Sequence, residues 1–293
     1  MGVVLNPTAG GGRAAKLLPE VVSTLRRLQR SRHVYVTTAP AEATTVARQF
    51  AADGVALVVA VGGDGTVNEV ANGLLDASSA AVLAVLPAGR GADFARSVGT
   101  PRNADAALER IVRATPRPID VGRATFTDGS SRAFVNVAGL GFDAAVAARA
   151  SRSRLPGSTV PYVSGLVGAL ARYRNLDVAI EIDGERIDGR ALSVVVANGR
   201  YFGGGMKIVP DADLADGLID LAILGDLSKS DLLRNVPRVY RGTHVTHPKF
   251  THRTAREIRV TTTEPARVQL DGEVVGAAPV TFTVEAGALM FAG

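Results

Sequence analysis

The segment Val58-Val59-Ala60-Val61-Gly62-Gly63-Asp64-Gly65-Thr66-Val67-Asn68-Glu69 sets the tightest limit on what this chain can fold into. Its short, apolar, β-branched run reads as a strand buried on both faces. The run passes through two glycines, an Asp, a third glycine and a Thr straight into a helical pattern. A turn needs less glycine than this. The same handover recurs along the first 120 residues. Apolar runs lie at Val3–Leu5, Val34–Thr37, Ala56–Val61 and Val82–Leu86. Helical patterns lie at Ala14–Leu28, Thr44–Ala52, Val67–Leu75 and Ala104–Arg113. Such alternation predicts a parallel sheet with helices on both faces. Ligands in these sheets bind beyond the carboxyl ends of the strands, where the first, third and fourth strands here end in glycine-bearing turns.

The pattern changes near Pro116-Arg117-Pro118. Strands are then expected at Ala133–Ala138, Val178–Ile182, Ala191–Ala197, Leu218–Leu224, Glu257–Thr262, Arg267–Leu270 and Val280–Val284. Turn pairs Asp183-Gly184, Asp188-Gly189 and Asp271-Gly272 punctuate them. Helices are expected at Ala144–Arg149, Val163–Tyr173 and Lys229–Tyr240. The reading is two domains, 1–120 and 121–293, the second mainly antiparallel β.

The glycines of the Gly62–Thr66 turn let the backbone approach a polyphosphate closely, and the helix start behind it favours negative charge. Thr66 adds a hydroxyl. Asp64 repels phosphate unless a cation lies between, which points to Mg²⁺. No G-x-x-x-x-G-K-[ST] occurs anywhere, and the turn lacks the G-x-G-x-x-G spacing. Asn6-Pro7-Thr8-Ala9-Gly10-Gly11-Gly12 makes a second wall after the first strand.

Composition removes several classes. There is no Cys, so disulfides, thiolate metal sites and Cys nucleophiles are out. Five Tyr, nine Phe and no Trp leave little for base stacking, and no nucleic-acid partner is expected. Lys+Arg 33 against Asp+Glu 28 gives +5, which suits an anionic partner. The opening MGVVLNP shows no secretory pattern, and the weakly polar stretch Thr159–Ala171 is broken by Pro161 and short of a span. A cytoplasmic protein is expected.

Taken in order, several motifs carry a family resemblance. They are Asn6-Pro7 with its glycines, Gly62–Thr66, Pro87-Ala88-Gly89-Arg90-Gly91-Ala92-Asp93-Phe94-Ala95-Arg96 and Asp120-Val121-Gly122. Beyond them come Asn136–Asp143, Ala197-Asn198-Gly199, Gly203–Gly205, Pro210 through Gly217 and Gln269-Leu270-Asp271-Gly272-Glu273. The whole chain resembles the lipid kinases, which include bacterial soluble diacylglycerol kinases and sphingosine and ceramide kinases. The resemblance implies a Rossmann-like three-layer α/β nucleotide domain, then a β-sandwich acceptor domain. It also implies that the last strands, from about Ala278, return to the first domain.

By resemblance, ATP phosphates are bound by Asn6, Pro7, Thr8, Ala9 and Gly10 and by Gly63 through Glu69 (Gly63, Asp64, Gly65, Thr66, Val67, Asn68, Glu69), with Thr37 in reach. Asp64, Asp93 and Asp120 match acidic positions around the catalytic Mg²⁺. Asp213, Asp216 and the Leu218 carbonyl match a structural Mg²⁺ site. The Asp271-Gly272-Glu273 turn carries the general base, Glu273 first and Asp271 second. The implied reaction transfers the γ-phosphoryl group of ATP to diacylglycerol at a membrane surface, giving phosphatidic acid, and a homodimer is compatible with it. The family's Gly-Thr-x-Asn-Asp reads Gly89-Arg90-Gly91-Ala92-Asp93 here, so Arg90 stands where a Thr touches ATP, and a guanidinium can replace it as a phosphate ligand. An NAD kinase, which shares the Gly-Gly-Asp-Gly-Thr turn, and a catalytically weak nucleotide- or lipid-binding relative are the competing readings.

His244, His247 and His252 have no common zinc spacing and read as a family loop. Lys229, Arg234, Arg238, Arg241, Lys249, Arg253, Arg256 and Arg259 form a basic region. It reads either as a solvated face or as a surface for anionic headgroups.

Overall fold

The computed structural model describes residues 1–28, 33–77, 80–150 and 173–293. The helix expected at Val163–Tyr173 and the apolar stretch it belongs to lie, except for Tyr173, outside the described residues. The chain divides into two compact units. One is Met1–Ile119 with Gly287–Gly293, the other Asp120–Ala286.

The first unit is built from β1 (Gly2–Leu5), α1 (Ala9–Arg27), β2 (His33–Val36), α2 (Glu42–Ala52), β3 (Leu57–Gly62), α3 (Asp64–Asp76), β4 (Val82–Pro87), α4 (Asp93–Ser97) and α5 (Ala104–Arg113). Its sheet runs β4-β3-β1-β2, all parallel, with Val3 opposite Val34 and Val59, and Ala60 opposite Val85. Val3, Val4 and Leu5 are all fully buried, as a strand covered on both faces requires. On one face Ala14, Val21 and Leu25 of α1 and Ala104, Leu108 and Ile111 of α5 pack on Val3, Leu5, Val59 and Val61. On the other, Gly2 lies against Phe50 of α2, and Gly73 lets α3 approach α2, since a Cβ there would sit 2.2 Å from the Thr44 carbonyl. Each fully buried Val, Leu or Ile contributes ~1.5–3 kcal/mol, so the two helical layers hold the sheet. Asn103 caps α5 by accepting from the Ala106 N–H at 2.9 Å.

The second unit contains β5 (Arg117–Phe126, from Asp120 on), β6 (Ser131–Phe134), β7 (Val137–Gly141), α6 (Phe142–Ala150), β8 (Leu176–Ile182), β9 (Glu185–Ala197), β10 (Tyr201–Phe202), β11 (Met206–Lys207) and β12 (Ile219–Gly225). Then come α7 (Lys229–Arg241), a short 3-10 turn at Thr243–Thr246, β13 (Phe250–Ala255), β14 (Glu257–Thr262), β15 (Arg267–Leu270), β16 (Glu273–Ala277) and β17 (Val280–Phe291). Within this unit β5–β6, β7–β9, β8–β9, β8–β14, β9–β12, β10–β11, β12–β13, β7–β15 and β15–β16 all pair antiparallel. The long β9 pairs β8 along its first half and β7 and β12 along its second. Phe134 and Phe282 meet edge to face at 6.1 Å in the core.

Two local expectations are corrected. The single strand expected at Ala133–Ala138 is two, β6 and β7. The break comes because the N–H groups of Val135, Asn136 and Val137 donate to the Asp271 carboxylate at 2.9–3.0 Å instead of continuing a ladder. Asp188-Gly189 is not a turn but lies inside β9, opposite Ala179 and Val178, with Asp188 held by Arg186. Asp183-Gly184 and Asp271-Gly272 do have the paired positive φ of a tight hairpin turn.

Candidate active site

In the first unit, three glycine loops meet at the carboxyl ends of β1, β3 and β4. Their contacts are backbone to backbone, which is why the residues must be glycine. A Cβ on Gly10 would lie 2.2 Å from the Ala88 carbonyl, and one on Gly89 would lie 2.3 Å from Gly63 Cα. Gly10, Gly11 and Gly12 all have positive φ, so the regular part of α1 begins only after them. Asn6 ties the loops together. Its Nδ2 donates to Thr66 Oγ1 at 3.2 Å, and its Oδ1 accepts from the Thr8 backbone and hydroxyl at 3.1 and 2.8 Å. The Ala9 N–H, two residues past Pro7, closes that turn on the Asn6 carbonyl at 3.1 Å.

Other residues expected at the nucleotide are placed differently. Val67 and Asn68 are buried whole, within the first turns of α3. Glu69 accepts from the N–H groups of Ala41 and Ala43, both at 3.2 Å, and so caps the start of α2. Thr37 is buried at the end of β2, its N–H donating to the Leu5 carbonyl at 2.9 Å.

Asp64 and Asp93 come together around Gly91. An oxygen of each lies 3.2 and 3.3 Å from where a Cβ of Gly91 would sit, so any side chain there would fill the space between the carboxylates. Burial pushes the Asp64 carboxyl up, opposed by the N–H groups of Phe94, Asp93 and Ala92. Sequence reading named Arg90 but missed Arg102 as a cation of this site. Arg102 donates to the Gly91 carbonyl at 3.0 Å. Burial first, and then the charges of Arg96 and Arg13, push Arg102 down, against the pull of Asp93 and Asp64. Crowded cations beside crowded carboxylates fit a phosphate with its divalent metal ion. Arg90 reaches toward the first loop, its Nη2 3.3 Å from where Gly11 would carry a Cβ.

In the second unit, Asp120 accepts from the Gly217 N–H at 2.7 Å and its own N–H donates to the Leu214 carbonyl, which pins the acidic loop. Within the loop, Asp213 accepts from Ala215 N–H and Asp216 from Leu218 N–H, both at 3.0 Å. Asp216 is pushed up by burial and then by the charges of Asp220, Asp213 and Asp120. Among the described residues no three His, Cys, Asp or Glu side chains form a ready-made metal cage.

The two carboxylates of the β15–β16 turn differ in their surroundings. Asp271 is buried and accepts the three N–H groups of residues 135–137. Glu273 is half-buried and pairs with Arg132 at 2.8 Å, a partner that no local pattern signals. The histidines separate into three local contacts. His244 is buried with Nε2 3.0 Å from the Ile208 carbonyl, His247 accepts from the Lys249 N–H, and His252 bonds Asp220. The described part of the second unit also holds an apolar pocket, lined by residues including Phe142, Val146, Leu192, Ile208, Leu232 and Val239. No described helix is long and apolar enough to cross a membrane.

Comparison with known proteins agrees along the chain. Residues 1–124 match the diacylglycerol kinase catalytic domain, and residues 136–293 match the YegS C-terminal NAD kinase beta sandwich-like domain. A diacylglycerol kinase of Bacillus subtilis (strain 168) is 30% identical over 283 residues, 96% of this chain and 91% of that protein. One from Staphylococcus carnosus (strain TM300) is 29% identical over 282 residues, 96% and 90% of the two chains. A crystal structure of a diacylglycerol kinase from Bacillus anthracis str. Sterne superposes with a TM-score of 0.77 at 25% identity, covering 99% of this chain and 95% of the other. With both halves matched in order, this chain belongs to the diacylglycerol kinase family of lipid kinases and is a phosphotransferase with an alcohol group as acceptor.

Proposed function

We propose that the protein transfers the γ-phosphoryl group of MgATP to the hydroxyl of diacylglycerol, giving phosphatidic acid and ADP. The observation that carries this reading is the bare Gly91, flanked by the Asp64 and Asp93 carboxylates and bonded to Arg102. In this reading the glycine loops and the start of α3 cradle the phosphates, with Asn6, Thr8 and Thr66 as polar contacts. Asp64, Asp93 and Asp120 would hold the catalytic Mg²⁺. Asp213, Asp216 and the Leu218 carbonyl hold a second, structural one, which relieves the like-charge crowding at Asp216. Bound Mg²⁺ neutralises phosphate charge as transfer proceeds.

Glu273 takes the proton of the lipid hydroxyl as the acceptor oxygen bonds to the γ-phosphorus and the bond to the bridging oxygen breaks. Asp271 does not compete for that proton, because its oxygens already accept three backbone N–H groups. The apolar pocket beside Phe142 and Val146 suits an acyl chain. The membrane side of the reaction is assigned to α7. Leu233, Pro237 and Tyr240 recur there at helical spacing, Leu233 and Tyr240 being 51% and 39% exposed, with Lys229, Arg234 and Arg241 exposed beside them. An apolar ridge edged with cations suits the surface of an anionic bilayer.

The test is labelled ATP offered with diacylglycerol micelles, with sphingosine micelles and with NAD. Labelled phosphatidic acid that requires Mg²⁺ is the expected product. Label in NAD, or in no acceptor, would overturn the reading. In the same preparation, sedimentation with anionic vesicles should exceed that with neutral vesicles and fall with salt. Equal sedimentation would remove the assignment of α7.

A further inference from the structure

Gln269 is almost fully buried, at 3% exposure, in the strand that leads into the Asp271-Gly272-Glu273 turn. Its side chain has two partners. Oε1 accepts from the Gly272 N–H at 2.8 Å, and Nε2 donates to Asp143 Oδ2 at 3.2 Å. The amide can face only one way, because Gly272 supplies a donor and Asp143 an acceptor. Asp143 is fixed in turn. Its Oδ1 accepts from the Ser193 hydroxyl at 2.5 Å, and its own N–H donates to Ser193 Oγ at 3.2 Å.

Room for this arrangement comes from Gly139, which is the cross-strand partner of Gln269. A Cβ on Gly139 would sit 2.2 Å from Asp143 Oδ2. The Asn136–Asp143 and Gln269–Glu273 stretches, far apart in sequence, are thus one hydrogen-bonded unit. Asp271 grips the start of β7, and Gln269 joins the turn to the first residues of α6. The β15–β16 register slips two residues past Glu273, at Val275, with Val268 pairing Gly276 and Gln269 pairing Val274. Glu273 is the first residue of β16, opposite Leu270, and directly follows Gly272, whose N–H Gln269 holds.

We infer that Gln269, locked by Asp143 and Ser193, is a positioning residue that fixes the direction in which the turn presents Glu273. The inference rests on Glu273 being the base. Burial pushes the Asp143 carboxyl up, opposed by the Ser193 and Gln269 hydrogen bonds.

The test is steady-state kinetics with ATP and diacylglycerol micelles. Gln269→Glu keeps the acceptor for Gly272 but sets a second carboxylate against Asp143. It should lower kcat about 10–100-fold, the cost of a misplacement near 1 Å, with the KM for ATP within about twofold. Adding Asp143→Asn exchanges donor and acceptor across the pair and should recover at least about tenfold of that loss. In a Glu273→Gln background, Gln269→Glu should change kcat less than about twofold, because residues acting through one another are not additive. Unchanged kcat in Gln269→Glu, no recovery in the double variant, or an equal loss in both backgrounds would overturn the positioning role. Wild-type turnover in Glu273→Gln alone would instead overturn the assignment of the base.

Discussion

Arg90 and Ala92 are where this chain parts from the Gly-Thr-x-Asn-Asp pattern, and their surroundings differ in kind. Ala92 sits at φ 51°, before the short α4. Left-handed backbone costs an alanine ~1–2 kcal/mol, and Asn is one of the few side chains that tolerates it. The departure at 92 is therefore a matter of local strain. The departure at 90 turns a guanidinium toward the surface that Gly11 leaves open, and we propose that it contacts the nucleotide's phosphates there. A hydrogen bond with a charged partner contributes about 1.5–3 kcal/mol, so Arg90→Thr should raise the KM for ATP about tenfold or more. Its kcat at saturating ATP should change far less. A lower KM in the variant would show that Arg90 obstructs the nucleotide. At this scale the sequence made the glycines and acids legible, because their types are rare in combination. It did not reveal Arg102, Arg132 or the role of Gln269, since each acts on a partner that only the fold brings near, 11 residues away for Arg102, 141 for Arg132 and 126 for Gln269.

Elements were legible where burial dictated composition. In the first unit β1, β3 and β4 are continuous apolar runs, and glycines stand in the loops that follow them. Two of the elements that escaped are only partly buried. The first half of β9, Glu185–Arg190, is polar and largely exposed, and β13 is half exposed and lies in a His- and Arg-rich stretch of sequence. β13 has a titrating contact with its neighbour β12. His252 and Asp220 form a hydrogen bond and ion pair at 2.6 Å, with Asp220 buried. That bond raises the His252 pKa above its ordinary 6.5. A histidine raised on folding adds stability that is complete below the unfolded value of 6.5 and is lost as pH climbs through the higher folded value. Urea midpoints at pH 6 and pH 8.5 should therefore fall further for the wild type than for His252→Gln. Parallel profiles would mean that the pair does not titrate with folding.

At the scale of the whole chain, the second unit is an insertion in the first. The first unit loses its chain at Ile119 and recovers it at Gly287, within a single strand, β17. No change in composition announces that recovery. Its local mark is the positive φ of 61° at Gly287, which reads in sequence as one more glycine among 32. The change near Pro118 was visible because the hydrophobic period itself switches there from helical to strand. The recovered segment is short, yet it completes the first unit's sheet edge. Phe291 pairs with Leu83 of β4, and the Ala292 N–H donates to the Leu83 carbonyl at 2.9 Å. The Phe291 ring is fully buried and meets Phe94 of α4 edge on at 5.6 Å. Phe94 directly follows Asp93, so the ring also backs the loop that carries a proposed metal ligand. Phe291→Ala should cost about 3–5 kcal/mol, as for other large-to-small core changes. Because that core belongs to the first unit, hydrogen exchange should lose protection mainly in β3, β4 and α4, while β7, β9 and β12 keep theirs. Uniform loss across both sets of strands would show that the two units unfold as one, and the discontinuous unit would then have no stability of its own to lose.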